Sequence, residues 1–165
     1  MVLSEFENKV VLIAQALVAR DATLTTVESC TGGGIACALT ALAGSSSWFE
    51  RGFVTYSNAA KTELAGVPVA LISKFGAVSV EVAASMASGG LKAAHSDFAL
   101  SVTGIAGPDG GSPEKPVGTV CFGWAFKTRE VETERIVFSG DRHEVRFKTI
   151  EHALQGMLNR ILNRH

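Results

Sequence analysis

An α/β fold, a three-layer α/β/α sandwich around a mixed, mostly parallel sheet, is what this sequence predicts. Three observations carry the prediction. Short β-branched segments alternate with helical patterns along the chain, the arrangement that builds helices onto both faces of a sheet. The first and last helical segments each carry apolar residues on one face. Two consecutive strands late in the chain read as a hairpin, which makes the sheet mixed rather than wholly parallel. At 165 residues, 47 % hydrophobic and 19 % charged, the chain fits one domain, residues 1–165, with a sizeable core.

The elements follow in order. Ser4 and Glu7 have capping-box spacing and open a helix with Phe6, Val10, Ile13, Leu17 and Val18 on one face, ending near Arg20-Asp21. Residues 23–28 are short and β-branched, so they predict a strand. Thr31 to Gly34 open a second helix that reaches about Ala43, and a Gly-Ser-Ser-Ser turn follows. Phe53–Tyr56 reads as a strand and Asn58–Leu64 as a small helix. Residues 79–94 are rich in alanine, serine and glycine at helical spacing and predict a helix packed closely on its neighbours. Asp97–Thr103 is a strand, and Gly104–Pro116 a long Gly/Pro loop. Strands at 117–126 and 131–138 form the hairpin. A last helix starts at Asp141 with Glu144 as capping partner and carries Phe147, Ile150, Leu154, Met157 and Ile161 on one face.

Composition excludes several functions. A formal net charge of −1 offers no global footprint for nucleic acid, so any basic site is local. Cys30, Cys37 and Cys121 are widely spaced and odd in number, against a disulfide framework or a zinc site. Acidic residues stand near the N-terminus where a leader would be basic, and no apolar run is long enough for a membrane span. A cytoplasmic protein without membrane or nucleic-acid partners is expected. Oligomeric state stays open, since the small-residue helix at 79–94 could pack on a second copy.

Four segments carry chemistry. In Glu28-Ser29-Cys30-Thr31-Gly32-Gly33-Gly34 a serine sits where a strand turns into a helix, a place that exposes a nucleophile beside free backbone N–H groups. The same residues could equally cap the helix or cradle an anion. Cys30 competes as nucleophile, but adjacent side chains at a strand end face opposite ways and no histidine lies nearby in sequence. Tyr56-Ser57-Asn58-Ala59-Ala60-Lys61 places the only tyrosine at a strand end and a lysine in the first helical turn. There the macrodipole and some burial push an ammonium towards its neutral, basic form; the plainer alternative is a solvated lysine. The glycine-rich run from Thr103 to Gly111 follows a strand and could wrap a ligand, although it has neither the P-loop nor the dinucleotide-loop spacing. Arg142 and Arg146 lie at i, i+4 at the start of the last helix. They suit a phosphate there, or plain surface pairing with Glu144 or Glu151.

These segments, with Gly44-Ser-Ser, Gly76-Ala-Val-Ser79, Glu114-Lys-Pro-Val-Gly-Thr119 and Gly140-Asp-Arg142, occur in an order that resembles the CinA C-terminal domain family of nicotinamide-nucleotide amidohydrolases. The likeness runs from about residue 5 to 160. It lacks the further N-terminal domain of longer members and so resembles the stand-alone form. What the resemblance implies is deamidation of nicotinamide mononucleotide (NMN) to nicotinate mononucleotide and ammonia, in pyridine-nucleotide recycling. It implies a Ser29 nucleophile, a Lys61 base and an accompanying Tyr56, with no metal or organic cofactor. The N–H groups after Ser29 would hold the oxyanion, and Tyr56 would position Lys61 or relay its proton. Thr31, Gly32, Gly33, Ser46, Thr103, Gly104 and Gly107 are the implied substrate contacts, and Arg142, with Arg146 beside it, the phosphate ligand. The alternative is a non-catalytic nucleotide-phosphate-binding module or regulatory paralogue.

Overall fold

The computed structural model describes residues 3–163. Its sheet has five strands: β1 (Leu24–Glu28), β2 (Phe49–Val54), β3 (Phe98–Gly104), β4 (Thr119–Phe126) and β5 (Arg129–Val137), in the order β2-β1-β3-β4-β5. β1 lies parallel to both β2 and β3, and the β3–β4 and β4–β5 pairs are antiparallel, so β4 alone runs against the other four.

Helices α1 (Glu7–Val18), α2 (Gly34–Thr40) and α6 (Arg142–Leu162) cover one face. The other carries α3 (Asn58–Ala65), α4 (Val69–Phe75) and α5 (Val80–Ala94). Strand alternation divides the core between the faces. Phe98, Leu100, Val102, Phe122 and Trp124 pack towards α1 and α6, against Ile13, Leu17, Leu154 and Met157. On the α5 side stand small residues, Ala99 and Ala125 against Ala87. That is why the Ala/Gly-rich helix comes so close: a Cβ on Gly90 would sit 2.2 Å from Val27 Cγ2, and one on Gly89 1.6 Å from the Ala65 carbonyl oxygen.

Several expectations need correction. Ser4 lies in a 3-10 turn, Leu3–Phe6, and α1 begins at Glu7 with Phe6 at its N-cap and no side-chain cap, so the Ser4–Glu7 box does not form. The second helix starts later, at Gly34, and ends at Thr40. β2 occupies Phe49–Val54 rather than 53–56, because an edge strand with mostly exposed side chains has little apolar pattern to reveal it. α4 was not anticipated at all. The Asp141–Glu144 capping box does form, with both reciprocal hydrogen bonds. Among the described residues no helix is long and apolar enough to cross a membrane.

Candidate active site

The three parallel strands β2, β1 and β3 deliver their C-terminal ends to one place, where ligands gather in α/β sheets. Ser29 follows β1 directly and is nearly buried, its N–H donating to the Val102 carbonyl of β3 at 3.0 Å. β2 continues the pairing one residue further, with Thr55 N–H donating to the Glu28 carbonyl at 2.7 Å. The chain then turns into α3, whose N-cap Ser57 accepts from Ala60 N–H. Lys61 therefore projects back from the first turn of α3 under the ends of β1 and β2.

Lys61 is 1 % exposed, and its Nζ makes three contacts: Ser29 Oγ at 3.1 Å, the Thr55 carbonyl at 2.9 Å and the Tyr56 carbonyl at 3.3 Å. All three partners are neutral, and among the described residues no carboxylate pairs with it. Burial pushes its pKa down from the usual 10.5, and the neighbouring Cys30 only partly offsets the lost solvation of the ammonium. In the neutral form two amine hydrogens satisfy the two carbonyls, and the lone pair remains for the Ser29 hydroxyl. That is the geometry of a base on a nucleophile.

Cys30 is the opposite case. Its thiol is 6 % exposed and burial raises its pKa to about 12, so the thiolate that a cysteine nucleophile needs is not formed near neutral pH.

Glu28 decides what the second helix can offer. Its buried carboxylate accepts from Thr31 Oγ1 at 2.6 Å and from the N–H groups of Gly33, Ile35 and Ala36 at 3.1, 3.0 and 2.8 Å. The anion at the α2 N-terminus is thus the protein's own, and the cradle has no donors left for a substrate phosphate. Gly33 at φ +95° makes the turn that allows this.

The glycines are spent as donors. Gly32 and Gly34 give their N–H groups to the carbonyls of Ser29 and Thr31, and Gly33 to Glu28. In this arrangement the glycine N–H groups are not free to meet an oxyanion. What remains after Ser29 are the N–H groups of Cys30, turned to its own sulfur, and of Thr31, which has no acceptor among the described residues.

A cleft of about 240 Å³ opens over the dyad, lined by Ser29, Tyr56, Lys61, Thr103, Gly104 and Arg142 among others. Thr31, Gly32 and Gly33 do not line it, since the Thr31 hydroxyl is turned to Glu28. Gly107 borders it only through a carbonyl that accepts from Arg142 Nη1 at 2.9 Å. Ser46 lies before the start of β2, at the other end of a six-residue strand, roughly 20 Å of extended chain from the site. It belongs to the opposite rim of the sheet. Tyr56 also differs from expectation: its carbonyl, not its phenol, holds Lys61, and the exposed hydroxyl accepts from Arg142 Nη2 at 3.3 Å. Arg146 does not reach this cleft but ties α6 to the carbonyls of Cys30 and Thr31.

Lining residues missed from the sequence are Asn58, Ala77 and Val78, while Ala106 comes from the 103–111 run expected to wrap a ligand. The Gly76-Ala-Val-Ser79 run was the available signal for Ala77 and Val78, whose wall is pinned by Thr103 Oγ1 donating to the Ala77 carbonyl at 2.8 Å. Among the described residues no group of three or more His, Cys, Asp or Glu side chains could hold a metal.

Residues 7–161 match the CinA C-terminal domain. The chain belongs to that family. Relatives include "Nicotinamide-nucleotide amidohydrolase PncC" of Escherichia coli (strain K12), 55 % identical over 150 residues and 91 % of each chain. The protein of that name from Pseudomonas putida is 55 % identical over 84 % of this chain and 86 % of its own. A longer "CinA-like protein" of Citrifermentans bemidjiense is 55 % identical over 142 residues, but that match covers only 34 % of it. Among solved structures, the competence damage-inducible protein A of Klebsiella pneumoniae superposes with a TM-score of 0.92 at 38 % identity, over 96 % of this chain and 98 % of that one. The relatives that match over most of both chains at this identity carry an enzyme's name, and this chain is an enzyme.

Proposed function

We propose that this CinA-family enzyme hydrolyses the carboxamide of NMN to nicotinate mononucleotide and ammonia, with Ser29 as nucleophile and Lys61 as base. The observation that carries the mechanism is the 3.1 Å contact between Ser29 Oγ and a buried lysine held only by neutral acceptors. The names of relatives 55 % identical over nine-tenths of the chain carry the substrate.

Neutral Lys61 takes the Ser29 proton as Oγ adds to the carboxamide carbon. The oxygen that becomes negative is met by main-chain N–H groups of the turn that follows Ser29. Lys61 then returns its proton to the departing nitrogen, ammonia leaves, and an acyl ester remains on Ser29. Water, deprotonated by the same amine, hydrolyses the ester and restores the dyad. Thr103 and Gly104 wall the nicotinamide, and Arg142 takes the phosphate at the cleft mouth. Because the α6 N-terminus is already closed by its own Asp141–Glu144 box, that task rests on the guanidinium rather than on the helix dipole. One domain spanning 1–165, working in the cytoplasm in pyridine-nucleotide recycling, completes the proposal.

The test is ammonia release from NMN. The wild-type chain turns over, Ser29→Ala folds without turnover, and Cys30→Ala retains activity. A phosphate-binding module would bind NMN and release nothing, and an active Ser29→Ala would end the dyad.

A further inference from the structure

The chain leaves the sheet at Ser29, but β3 beside it runs on. Up to that point β1 and β3 pair in register, Val27 with Ser101 and Glu28 with Val102, and Ser29 N–H still donates to the Val102 carbonyl at 3.0 Å. Along a strand between two neighbours, alternate residues turn their backbone groups to the same neighbour. On β3 the even-numbered residues face β1: Phe98 N–H donates to the Thr23 carbonyl there, while Ile105 N–H donates to the Thr119 carbonyl on the β4 side. Gly104 N–H therefore points towards β1, at the place where the Ser29 carbonyl would stand if β1 continued. That carbonyl has turned away to accept from Gly32 N–H at 3.0 Å. Gly104 N–H is left without an acceptor among the described residues.

This donor opens onto the reacting groups. Gly104 lines the cleft over the dyad, one strand spacing, roughly 4.8 Å, across the sheet from the end of β1. Ser29 Oγ and Thr103 Oγ1 stand side by side on the same face of the sheet, one reaching Lys61 of α3 and the other the Ala77 carbonyl before α5. An oxygen on the carbon bonded to Ser29 Oγ falls in the gap between the two strand ends, in front of the Gly104 N–H. The donor is also held still. Thr103 Oγ1 is fixed at 2.8 Å on one side of it and Ile105 N–H at 2.9 Å on the other, and donors fixed before the reaction stabilise developing charge best. A Cβ at Gly104 would sit 2.9 Å from Val120 Cγ2 and 3.1 Å from Cys30 Sγ. The buried thiol, unused as a nucleophile, packs against this residue and leaves no room for a side chain.

We infer that the Gly104 main-chain N–H is an oxyanion donor: it meets the carbonyl oxygen of the amide as Ser29 adds to its carbon. The inference rests on the serine mechanism proposed above. In that step the Oγ–C bond forms, the π pair of the carbonyl moves onto its oxygen, and the serine proton passes to Lys61. The Gly104 N–H keeps its own proton and stabilises the new charge from the strand beside the nucleophile.

Replacing one backbone N–H by an ester oxygen tests this directly. Glycolic acid in place of Gly104 removes the donor and leaves the side-chain space as it was. Leucic acid in place of Leu100 is the control, because Leu100 N–H also faces β1 but lies inside the ladder. Both esters weaken the preceding carbonyl, Thr103 or Ala99, which faces β4 in each case. In the 104 ester, kcat for NMN falls roughly 10²–10³-fold, the cost of one oxyanion donor, while KM stays within about threefold. Nicotinamide riboside, which lacks the phosphate, loses the same factor. The 104 ester melts at a higher temperature than the 100 ester, which alone gives up a hydrogen bond of the fold, and the 100 ester keeps most of its kcat. Phosphonylation of Ser29 by a fluorophosphonate, which builds a similar negative oxygen without NMN, slows by a similar factor in the 104 ester. In the wild-type chain the same phosphonylation moves the Gly104 amide proton downfield and slows its exchange with water.

An unchanged kcat in the 104 ester would overturn the inference, as would a rise in KM alone. A loss seen with NMN but not with the riboside would make the N–H a phosphate ligand and overturn it too. So would a 104 ester no more stable than the 100 ester, the sign of an N–H already paired in the fold. If neither ester folds, a Gly104 amide unmoved by phosphonylation decides against the inference. Should the wild-type chain release no ammonia from NMN while Ser29 is still phosphonylated, the substrate assignment falls and the labelling rates and the amide shift judge Gly104. Should Ser29 not be labelled at all, the inference falls with the nucleophile.

Discussion

Replacing Lys61 by methionine separates what this residue does for chemistry from what it costs the fold. Methionine keeps most of the buried stem and removes Nζ with its three hydrogen bonds. Each lost bond is worth about 0.5–1.5 kcal/mol. Against that, the variant no longer buries an ammonium without a counter-charge, and every pKa unit by which burial lowers Lys61 corresponds to about 1.4 kcal/mol at a pH where it is protonated. The two terms oppose each other, so the melting temperature near neutral pH falls by less than the three lost bonds alone would give. Activity has no such offset: losing the base removes a factor of about 10²–10⁴, or roughly 2.7–5.4 kcal/mol of transition-state stabilisation.

The pH dependence follows with a definite sign. Between the depressed pKa of Lys61 in the fold and the ordinary 10.5, the unfolded chain holds a proton that the folded chain has released. Wild-type stability therefore rises with pH across that window, and the methionine variant lacks this rise. Ammonia release followed against pH, with thermal melts at the same pH values, measures both effects. In the wild type kcat/KM climbs with pH as Lys61 loses its proton, levelling below pH 10.5. A methionine variant with more than about a tenth of wild-type activity, well above the loss expected for a missing base, would refute the assignment of Lys61.

Three other perturbations separate the parts of the site. Glu28→Gln loses the charge at the α2 N-terminus and sets an amide N–H₂ against a helix N–H, so it destabilises by about 2–3 kcal/mol in denaturant titration. Arg142→Ala raises KM for NMN at least about tenfold, the scale of a lost charged hydrogen bond, and leaves the riboside nearly unchanged. Gly89→Ala drives a methyl into the Ala65 carbonyl, pushes α3 off α5 and lowers stability by roughly 1–3 kcal/mol on a thermal melt.

What the sequence revealed depended on the kind of signal. Helices with a wide apolar stripe, α1 and α6, were placed within a few residues, and so was the hairpin of β4 and β5, because burial leaves a periodic trace. α4 is seven residues long with one fully buried side chain, too little pattern to register, though Pro68 before it and Gly76 after it were the punctuation of a short helix. Ser29, Lys61 and Arg142 were legible as chemistry-bearing types at element ends. Glu28 was not singled out, because a carboxylate that turns back on the helix following it looks like any acidic residue until the turn is built. Ser46 was misplaced for the complementary reason: proximity in a run of motifs says nothing about which rim of the sheet a residue reaches. The two arginines four apart looked equivalent, and only the three-dimensional turn distinguishes their partners.

The nucleophile and its base hang on neighbouring strands, β1 and β2, and their distance is set by the Glu28–Val54 and Thr55–Glu28 backbone pairing. β2 is also the edge of the sheet, paired on one side only. An edge strand is where a sheet opens first, at a fraction of the free energy of global unfolding. Catalysis is therefore coupled to the local stability of one border strand: a transient fraying of β2 draws Lys61 away from Ser29 while the central strands and the α1–α6 core stay intact.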